Sequence, residues 1–368
     1  MKFTVKRDAL LGPLQLVAGA VERRQTLPVL ANILLVLTED NLSLTGTDLE
    51  VEIVGRVDVE SVSDIGEVTV PARKLLDICR SLPDSAVIEM TLDEDQRLLV
   101  KSSRSRFILS TLPANDFPAT EVAEGDVKFS CPQFIIKRLI DRTSFAMAQQ
   151  DVRYYLNGML WETENNTLRC VATDGHRLAM CTREIDINVS KKSQAILPRK
   201  GVVELSRLLK EDEVMIDVTL SGHHIRVETV DYTLTSKLVD GKFPDYERVL
   251  PKGGSNVMLG NRDYLKQAFG RTAILSNEKY RGVRLTLEDG LLTIVANNPE
   301  QEEAEEQVVV DYNGDKIEIG FNVSYLQDVS NVLSTENIKL TLSDANSSAL
   351  IEEPESGDSV YVVMPMRL

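Results

Sequence analysis

Residues 26–53 read TLPVLANILLVLTEDNLSLTGTDLEVEI, and this stretch decides the fold because the chain repeats it. Related stretches occupy residues 151–180 (DVRYYLNGMLWETENNTLRCVATDGHRLAM) and, more weakly, residues 277–306 (NEKYRGVRLTLEDGLLTIVANNPEQEEAEE). A spacing of about 125 residues separates one copy from the next. Because a repeat of this length is much longer than a solenoid unit, each copy is predicted to be a domain of its own.

The flanks of the stretch repeat as well. A strand-like segment leads into a short amphipathic segment on both sides of each copy, as in VTVPARKLLDICRSL and AILPRKGVVELSRLL. The 368 residues suffice for three domains of common size, and turn-rich linkers such as Phe243-Pro244-Asp245-Tyr246 separate the copies. The predicted domains are residues 1–125 (N-terminal), 126–254 (central) and 255–368 (C-terminal).

Within each copy, short segments of alternating apolar and β-branched residues surround two short helices. The strands predicted in the first copy are residues 32–38, 42–47, 86–92, 98–102 and 106–112. Turn residues at 38–41, 164–166 and 288–290 mark hairpin loops. The predicted helices are residues 6–24, 72–82, 133–142, 199–210, 262–271 and 322–333. The fold class is therefore α+β, with each domain built from two β-α-β-β-β halves.

The charge distribution points to two electrostatically distinct surfaces. A net charge of −16 argues by itself against a nucleic-acid partner. Five of the six predicted helices nonetheless hold more Lys and Arg than Asp and Glu. Lys137, Arg138 and Arg142 are predicted to lie opposite the apolar face of the third helix, and Lys200 and Arg207 lie together on the fourth. Such basic faces suit a sequence-neutral phosphate surface.

Several functional classes find no support in the sequence. The four cysteines include no CxxC pair, so neither a zinc knuckle nor a disulfide scaffold is suggested. Neither a phosphate-binding Gly-x-x-x-x-Gly-Lys loop nor a paired-carboxylate metal motif occurs, and no cofactor is expected. Apolar runs are short and the first residues do not form a signal-peptide pattern, so a cytoplasmic location is predicted.

A catalytic alternative would centre on the TDGHR segment. His176 would act as a general base that Asp174 orients beside Thr173. These residues are adjacent in sequence, no Gly-x-Ser-x-Gly elbow exists, and His223 and His224 are the only other histidines. A strand end with a turn is therefore favoured over a hydrolase or transferase. A plain oligomeric scaffold without a nucleic-acid role is a third interpretation.

Several longer motifs together resemble a single family. They are TGTDLE at 45–50, DVRYYLNG at 151–158, TDGHRL at 173–178, FPDY at 243–246 and YVVMPMRL at 361–368. From end to end the chain resembles the bacterial β sliding clamps, the processivity subunits of DNA polymerase III. The resemblance is specific because independent motifs occur in the right order and at the right separations.

The resemblance implies a non-catalytic clamp. It implies a head-to-tail homodimer whose six domains form a ring, with helices lining a hole around duplex DNA and sheets on the outside. The implied partners are double-stranded DNA without sequence preference, a second copy of the chain and a clamp loader. Replicative and other polymerases and repair proteins are expected to bind through short linear motifs. The implied location is the cytoplasm, at the nucleoid, with no membrane partner.

The resemblance also implies contacts to DNA and to partner peptides. Duplex contacts are assigned to Arg24, Arg73, Gln150, Tyr154, Tyr155 and Lys200. The two tyrosine rings could instead belong to the core. The partner-peptide pocket is assigned to Leu156, Thr173, Gly175, His176, Arg177, Leu178, Pro244, Arg248, Val249, Asn322, Tyr325, Ser348, Val362, Val363, Met364, Pro365, Met366 and Arg367. The Val-Val-Met-Pro-Met segment could also be an ordinary edge strand.

A third set implied by the resemblance forms the dimer interface, in which basic residues of the first domain face an acidic run of the third. Its members are Lys74, Ile78, Leu82, Arg97, Arg104, Arg106, Phe107, Ile274, Leu275, Glu300, Glu302, Glu303, Glu305 and Glu306. Taken alone, the acidic run would be a solvated loop. Opposite charges in such an interface would guide its register more than they would tighten it.

Overall fold

The computed structural model describes residues 1–22, 27–118, 120, 125–355 and 357–367, without the side chains of 188–191. These residues divide into two compact units. The first comprises Met1–Phe134 and Lys200–Leu238, and the second comprises Ile135–Arg199 and Val239–Leu368. The central third of the chain therefore contributes to both units.

The described residues form six α-helices and 23 strands. The helices are α1 (Arg7–Ala20), α2 (Ala72–Ser81), α3 (Gln133–Thr143), α4 (Arg199–Leu208), α5 (Arg262–Thr272) and α6 (Val323–Val332). The strands up to the centre of the chain are β1 (Lys2–Lys6), β2 (Asn32–Leu37), β3 (Asn41–Thr47), β4 (Val51–Asp58), β5 (Ser61–Asp64), β6 (Gly66–Pro71), β7 (Val87–Leu92), β8 (Arg97–Ser102), β9 (Ser105–Ser110), β10 (Val127–Pro132), β11 (Gly158–Thr173) and β12 (Arg177–Pro198). The remaining strands are β13 (Met215–Leu220), β14 (His224–Glu228), β15 (Tyr232–Lys237), β16 (Asn256–Asn261), β17 (Gly282–Glu288), β18 (Leu291–Asn297), β19 (Glu303–Val309), β20 (Ile317–Asn322), β21 (Asn337–Leu342), β22 (Ala349–Glu352) and β23 (Ser359–Val363).

The first unit contains two antiparallel sheets. One has the strand order β5-β1-β7-β8-β9, and the other has the order β10-β13-β14-β15-β4-β3-β2-β6. In the larger sheet, residues 51–55 of β4 pair with residues 232–236 of β15. This ladder joins strands of the predicted N-terminal domain to strands of the predicted central domain, so the sheet continues across the predicted boundary.

The second unit repeats this arrangement. Its sheets have the orders β11-β12-β23-β22-β21-β16 and β19-β18-β17-β20. Residues 177–181 of β12 pair with residues 359–363 of β23, which joins the predicted central domain to the predicted C-terminal domain. The α+β fold class is confirmed, and each sheet that crosses a boundary holds its two domains together by backbone hydrogen bonds.

The helices lie where the sequence predicts them. On α1, the buried residues Leu10, Leu14 and Val17 recur at the three- and four-residue spacing of one helix face. The helix ends at Ala20 because Val21 adopts an extended backbone, with φ −79° and ψ 128°. No helix among the described residues is long and apolar enough to cross a membrane. All four cysteines are buried as free thiols.

The three predicted hairpin turns form as expected. Thr38 and Asn41 close the first through a backbone hydrogen bond of 3.0 Å. Asp289 and Gly290 both have positive φ, as a type I′ hairpin turn requires. The third turn, at 164–166, lies inside the residue range of β11, yet the chain reverses there. Asn165 has φ 53°, the Thr167 hydroxyl donates to the carbonyl oxygen of Glu164 at 2.8 Å, and Arg169 reaches back to Glu162 at 3.0 Å.

Helix α1 lies unusually close to the sheet at Gly46 of β3. A Cβ atom at Gly46 would lie 2.6 Å from the carbonyl oxygen of Val17 and 3.0 Å from its Cγ1. Glycine inside a strand often marks such a close approach of a second backbone. Gly12, on α1 itself, is exposed and has no atom within 4 Å of the equivalent point.

We expect Gly46→Ala to destabilise the protein by about 1–3 kcal/mol, because the added methyl group forces the α1 backbone away from β3. Chemical denaturation of the variant measures this loss. The matched control is Gly12→Ala, which should be neutral or stabilising by up to about 1 kcal/mol because alanine favours a helix. Equal effects of the two changes would contradict the close packing of α1.

Candidate functional site

A cavity of about 210 Å³ lies in the second unit, where β12 begins and β23 ends. Leu178 and Val362 are cross-strand partners in the ladder between these strands, and both line the cavity. A 3₁₀ turn at Tyr154–Leu156 and the segment 244–249 supply further walls. The lining residues are Arg153, Leu156, Thr173, Gly175, Arg177, Leu178, Pro244, Tyr246, Val249, Val362 and Met364.

The cavity gathers half of the residues that the sequence assigned to the peptide pocket. Those that line it are Leu156, Thr173, Gly175, Arg177, Leu178, Pro244, Val249, Val362 and Met364. Those that do not line it are His176, Arg248, Asn322, Tyr325, Ser348, Val363, Pro365, Met366 and Arg367. Val363 is fully buried in β23.

Arg153 and Tyr246 line the cavity although the sequence analysis missed both. Arg153 donates to both carboxylate oxygens of Asp151, at 3.0 and 2.9 Å, and to the backbone oxygen of Asp174 at 3.3 Å. These hydrogen bonds from Arg153 lower the pKa of Asp151 to about 2. Arg153 belongs to the DVRYYLNG motif and Tyr246 to the FPDY motif, so these two motifs were the sequence signal that could have identified them.

Arg177 is the central organiser of the cavity wall. Its Nε donates to Asp174 at 3.1 Å, Nη1 pairs with Asp328 on α6, and Nη2 donates to the backbone oxygen of Phe145 at 2.8 Å. The guanidinium carbon lies 4.5 Å from the ring centroid of Tyr325, within the range of a cation–π interaction. Tyr325 therefore stabilises the position of the Arg177 guanidinium in the cavity wall.

The residues after β23 are fixed at two backbone positions. The N–H of Met364 donates to the carbonyl oxygen of His176, and the N–H of Met366 donates to that of Gly320, both at 2.9 Å. Met364 consequently reaches the cavity, while Met366 runs along the edge of β20. The His176 side chain is exposed, and Asn322 uses its side chain to cap α6.

The residues assigned to DNA contact differ in their accessibility. Arg73 on α2 and Gln150 are exposed, and Tyr154 is 56 % exposed. Tyr155 is half-buried against the core below the cavity, with its ring 5.8 Å from that of Tyr154 in an edge-on arrangement. One ring of the pair thus belongs partly to the core, as the alternative interpretation allowed. Arg24 lies outside the described residues.

Lys200 is held by other groups of the first unit. Its ammonium donates to Asp48 and, at 2.9 Å, to the carbonyl oxygen of Ala20 at the end of α1. Burial tends to raise the pKa of Asp48, but the hydrogen bonds from Lys200 and from two backbone N–H groups outweigh it and lower the pKa. A phosphate would have to compete with this ion pair for Lys200.

The predicted basic face of α3 is only partly correct. Arg142 is 5 % exposed and pairs with the buried Glu353 at 2.8 Å, so it belongs to the core and not to a phosphate surface. Arg138 pairs with Asp358 at 3.0 Å, and Lys137 pairs with Asp141 at 2.6 Å on the same helix. Helical periodicity placed these side chains correctly around the axis but could not reveal what packs against them.

The residues assigned to the dimer interface lie at two sheet edges. Strand β9 is an outer strand of the first unit, and β19 is an outer strand of the second. Arg104, Arg106, Lys74 and the partly buried Phe107 and Ile78 lie on or near β9 and α2, where Arg97 pairs with Asp93 and Asp95. The residues around β19 are mostly exposed: Glu300, Glu302, Glu303, Glu305 and Ile274 are exposed, Leu275 is half-buried, and Glu306 pairs with Arg271. Leu82 is buried within its own unit, so its side chain is not free for a partner.

Three family models match consecutive parts of the chain. They describe the N-terminal (residues 1–121), central (130–245) and C-terminal (247–367) domains of the DNA polymerase III beta subunit. The beta sliding clamps of Pseudomonas aeruginosa and Escherichia coli K12 are 64% and 55% identical to this chain over 368 residues, with 100% of each chain covered. A crystal structure of the Pseudomonas aeruginosa sliding clamp bound to griselimycin has a TM-score of 0.97 and 64% identity, with both chains covered to 100%.

The chain belongs to the DNA polymerase III beta subunit family. Its function is that of a sliding clamp, a non-catalytic factor that makes the polymerase processive. The resemblance inferred from the sequence motifs is thereby confirmed along the whole chain.

The geometry at Asp174 agrees with this non-catalytic function. One carboxylate oxygen accepts from the backbone N–H groups of His176 and Arg177, and the other accepts from the Arg177 side chain. The Thr173 hydroxyl donates to the backbone oxygen of Arg177 at 2.6 Å. Asp174 therefore caps a turn and does not orient an imidazole, as a catalytic base would require.

We expect Arg177→Ala to lower the free energy of unfolding by about 2–4 kcal/mol, because it leaves Asp174 and Asp328 without their partner in a half-buried wall. Thermal and chemical unfolding measure the effect. Arg248→Ala is the matched control. Its side chain is 85% exposed and forms an ion pair with Asp245, which is itself half exposed, so removal should cost less than about 1 kcal/mol. A similar cost for both variants would show that Arg177 does not organise the wall.

Proposed function

We propose that two copies of this chain pair head to tail around duplex DNA, and that the cavity at β12 and β23 docks short peptides of partner proteins. The observation that carries the pairing is a strand junction that occurs twice within the chain. In each case the last strand of the first half of one domain pairs with the last strand of the next domain. A third junction of the same kind can form only between two copies of the chain.

The ladder registers identify which strands are equivalent. Strands β4, β19 and the first part of β12 follow the same hairpin, and their equivalent cross-strand pairs are Thr47–Glu52, Thr173–Leu178 and Asn297–Glu303. Strands β9, β15 and β23 end the second half-domains, with the equivalent pairs Val100–Phe107, Val227–Leu234 and Ile351–Tyr361. Within the chain, β4 pairs with β15 and β12 pairs with β23. Among the residues that the structure describes, the equivalent strands without such a partner are β19 and β9.

The internal junctions predict the register of the intermolecular one. Ile53 faces Leu234 in the first junction, and Ala179 faces Tyr361 in the second. The equivalent pair is Ala304 of one copy and Phe107 of the other. One step along these antiparallel strands, Glu305 faces Arg106, and one step in the other direction Glu303 faces Ile108. An opposite-charge pair and an apolar residue thus flank Phe107, as stable cross-strand pairing favours.

Exposed apolar side chains support pairing at these two edges. Val309 on β19 is 81% exposed, Ile274 beside it is 76% exposed, and Ile108 on β9 is 42% exposed. An apolar edge strand with unpaired backbone groups is prone to pair with another chain. Because each copy carries both edges, head-to-tail pairing of two copies leaves neither edge open.

DNA contact is proposed for the exposed members of the assigned set, namely Arg73, Gln150 and Tyr154, with Tyr155 and Lys200 in secondary roles. Phosphate contacts of this kind provide affinity without sequence information.

The same proposal includes three domains, at residues 1–125, 126–254 and 255–368. It also includes a cytoplasmic location at the nucleoid and ring opening by a separate clamp loader. The similar sliding clamp of Pseudomonas aeruginosa that is bound to griselimycin, a peptide-like ligand, supports a peptide site.

The cavity has the chemistry of a docking site for short peptides. Leu178, Val249, Val362 and Met364 offer apolar walls, and methionine adapts to different apolar anchors. Arg153 lies at the polar rim. Most of the affinity in such a groove comes from a few buried anchor side chains, which suits recognition of many partners by one short motif.

For the dimer, we expect Arg106→Glu or Glu305→Arg alone to place like charges at both junctions and to destabilise the dimer by about 0.4–2 kcal/mol. The double variant should restore dimerisation because it exchanges the two charges. Sedimentation across a dilution series measures the dimer dissociation constant. Arg106→Glu combined with Glu303→Arg is the register control and should not restore the dimer. Equal rescue by both double variants would refute the predicted register.

For the cavity, we expect Val249→Glu to weaken griselimycin binding by about 2 kcal/mol or more, because a carboxylate enters an apolar anchor site. Primer extension with the polymerase should lose processivity, whereas dimerisation and retention on nicked circular DNA should persist. The matched control is Val230→Glu at a position that is 75% exposed. Undiminished griselimycin binding by Val249→Glu would exclude this cavity as the docking site.

A further inference from the structure

A buried ion-pair network lies next to the cavity wall. Glu162 on β11 is 1 % exposed, and its carboxylate accepts four hydrogen bonds. Arg169 and the Tyr246 hydroxyl donate to Oε1 at 3.0 and 2.7 Å, and Gln194 and Lys192 donate to Oε2 at 2.6 and 2.9 Å. Each carboxylate oxygen therefore accepts two hydrogen bonds, which fills its acceptor sites.

Tyr246 connects this network to the cavity. Tyr246 belongs to the buried cluster that also holds Leu160, Leu178 and Val362, and it lines the cavity. Its hydroxyl donates to Glu162 and accepts from Arg169 at 2.8 Å. Tyr246 opens the 3₁₀ turn Tyr246–Arg248, which precedes Val249 in the same wall. The position of this wall thus depends on where the phenol hydroxyl is held.

The repeats provide an internal comparison for the network. Glu162 and Arg169 occupy the cross-strand position that Val36 and Ser43 occupy in the first copy, and Thr286 and Thr293 in the third. Both of those pairs are uncharged, so the half-domain folds without an ion pair at this position. The charged pair is present in the copy that carries the cavity.

The desolvation cost of a buried ion pair indicates that Glu162 and Arg169 add little to the net free energy of folding. Removing two charges from water costs several kcal/mol per ion, and neutral replacements of a buried ion pair are often equally or more stable. What a fully satisfied buried network does provide is a fixed geometry. We propose that Glu162 and Arg169 are positioning residues of the docking cavity, which hold the Tyr246 hydroxyl and so fix the wall formed by residues 244–249. This inference rests on the proposed docking function of the cavity.

The ionisation states favour a constant geometry. Burial raises the pKa of Tyr246, so its hydroxyl remains a donor at neutral pH. Burial also tends to raise the pKa of Glu162, but hydrogen bonds from Gln194, Tyr246 and Lys192 outweigh it and lower the pKa. Glu162 therefore remains an anionic acceptor in the same range.

The test compares griselimycin affinity with stability in three variants. Tyr246→Phe keeps the ring but releases the wall from Glu162, and we expect about tenfold weaker griselimycin binding with little change in thermal unfolding. Glu162→Thr with Arg169→Thr copies the neutral pair of the third repeat, and it should remain folded yet lose a similar factor. Adding Tyr246→Phe to that double variant should cause no further loss, because the hydroxyl no longer has an anchor.

Glu353→Gln is the matched control, because it breaks a second buried ion pair, with Arg142, that does not line the cavity. It should lower thermal stability and leave griselimycin affinity unchanged. Wild-type affinity in Tyr246→Phe, or an equal affinity loss in Glu353→Gln, would overturn the positioning role. If Val249→Glu weakens binding while Tyr246→Phe does not, the positioning role alone fails. If neither does, the docking proposal fails with it.

Discussion

Backbone hydrogen bonding at strand edges is the constraint on which the rest of the structure depends. An exposed sheet edge presents unpaired N–H and C=O groups that attract another strand. The chain satisfies two such edges internally, where β4 pairs with β15 and β12 pairs with β23. In the described part of the chain, one edge of each kind, β9 and β19, has no internal partner strand. In the proposed dimer these two edges pair between copies, and the charges around them set the register.

One junction geometry serves different purposes because its side chains differ. Val51 and Arg177 occupy the same position in the two internal junctions, and Glu302 occupies it in the proposed junction between copies. Val51 is buried in a ladder within the first unit. Arg177 links Asp174 to Asp328 and leaves a cavity beside the ladder. Glu302 is exposed and hydrogen-bonds to Asn298. The buried Val51 fits a junction that stays closed within one unit. Arg177 fits a ligand site, because its ion pairs fix the cavity wall. The exposed Glu302 fits an interface between separate copies.

The sequence was sufficient for the repeat, the helices and most strands, because these depend on local periodicity and turn chemistry. It also identified half of the cavity lining through motifs. It could not place Arg142 in the core, because its partner Glu353 lies 211 residues away. The role of Tyr246 was missed for the same reason, since its hydroxyl meets Glu162 across 84 residues. Long-range partners decide what a polar side chain does, and no local pattern encodes them.

The ion pairs on the helices bear on how a clamp holds DNA. Four basic side chains assigned to helix faces are already neutralised within their own units, in the pairs Lys137–Asp141, Arg138–Asp358, Lys200–Asp48 and Arg207–Glu204. Each phosphate contact adds close to one counterion to the salt dependence of binding. A surface whose cations are partly compensated neutralises fewer phosphates than its number of Lys and Arg residues suggests. In the proposed assembly, retention on DNA therefore depends on closure at the β9 and β19 edges more than on helix–phosphate contacts.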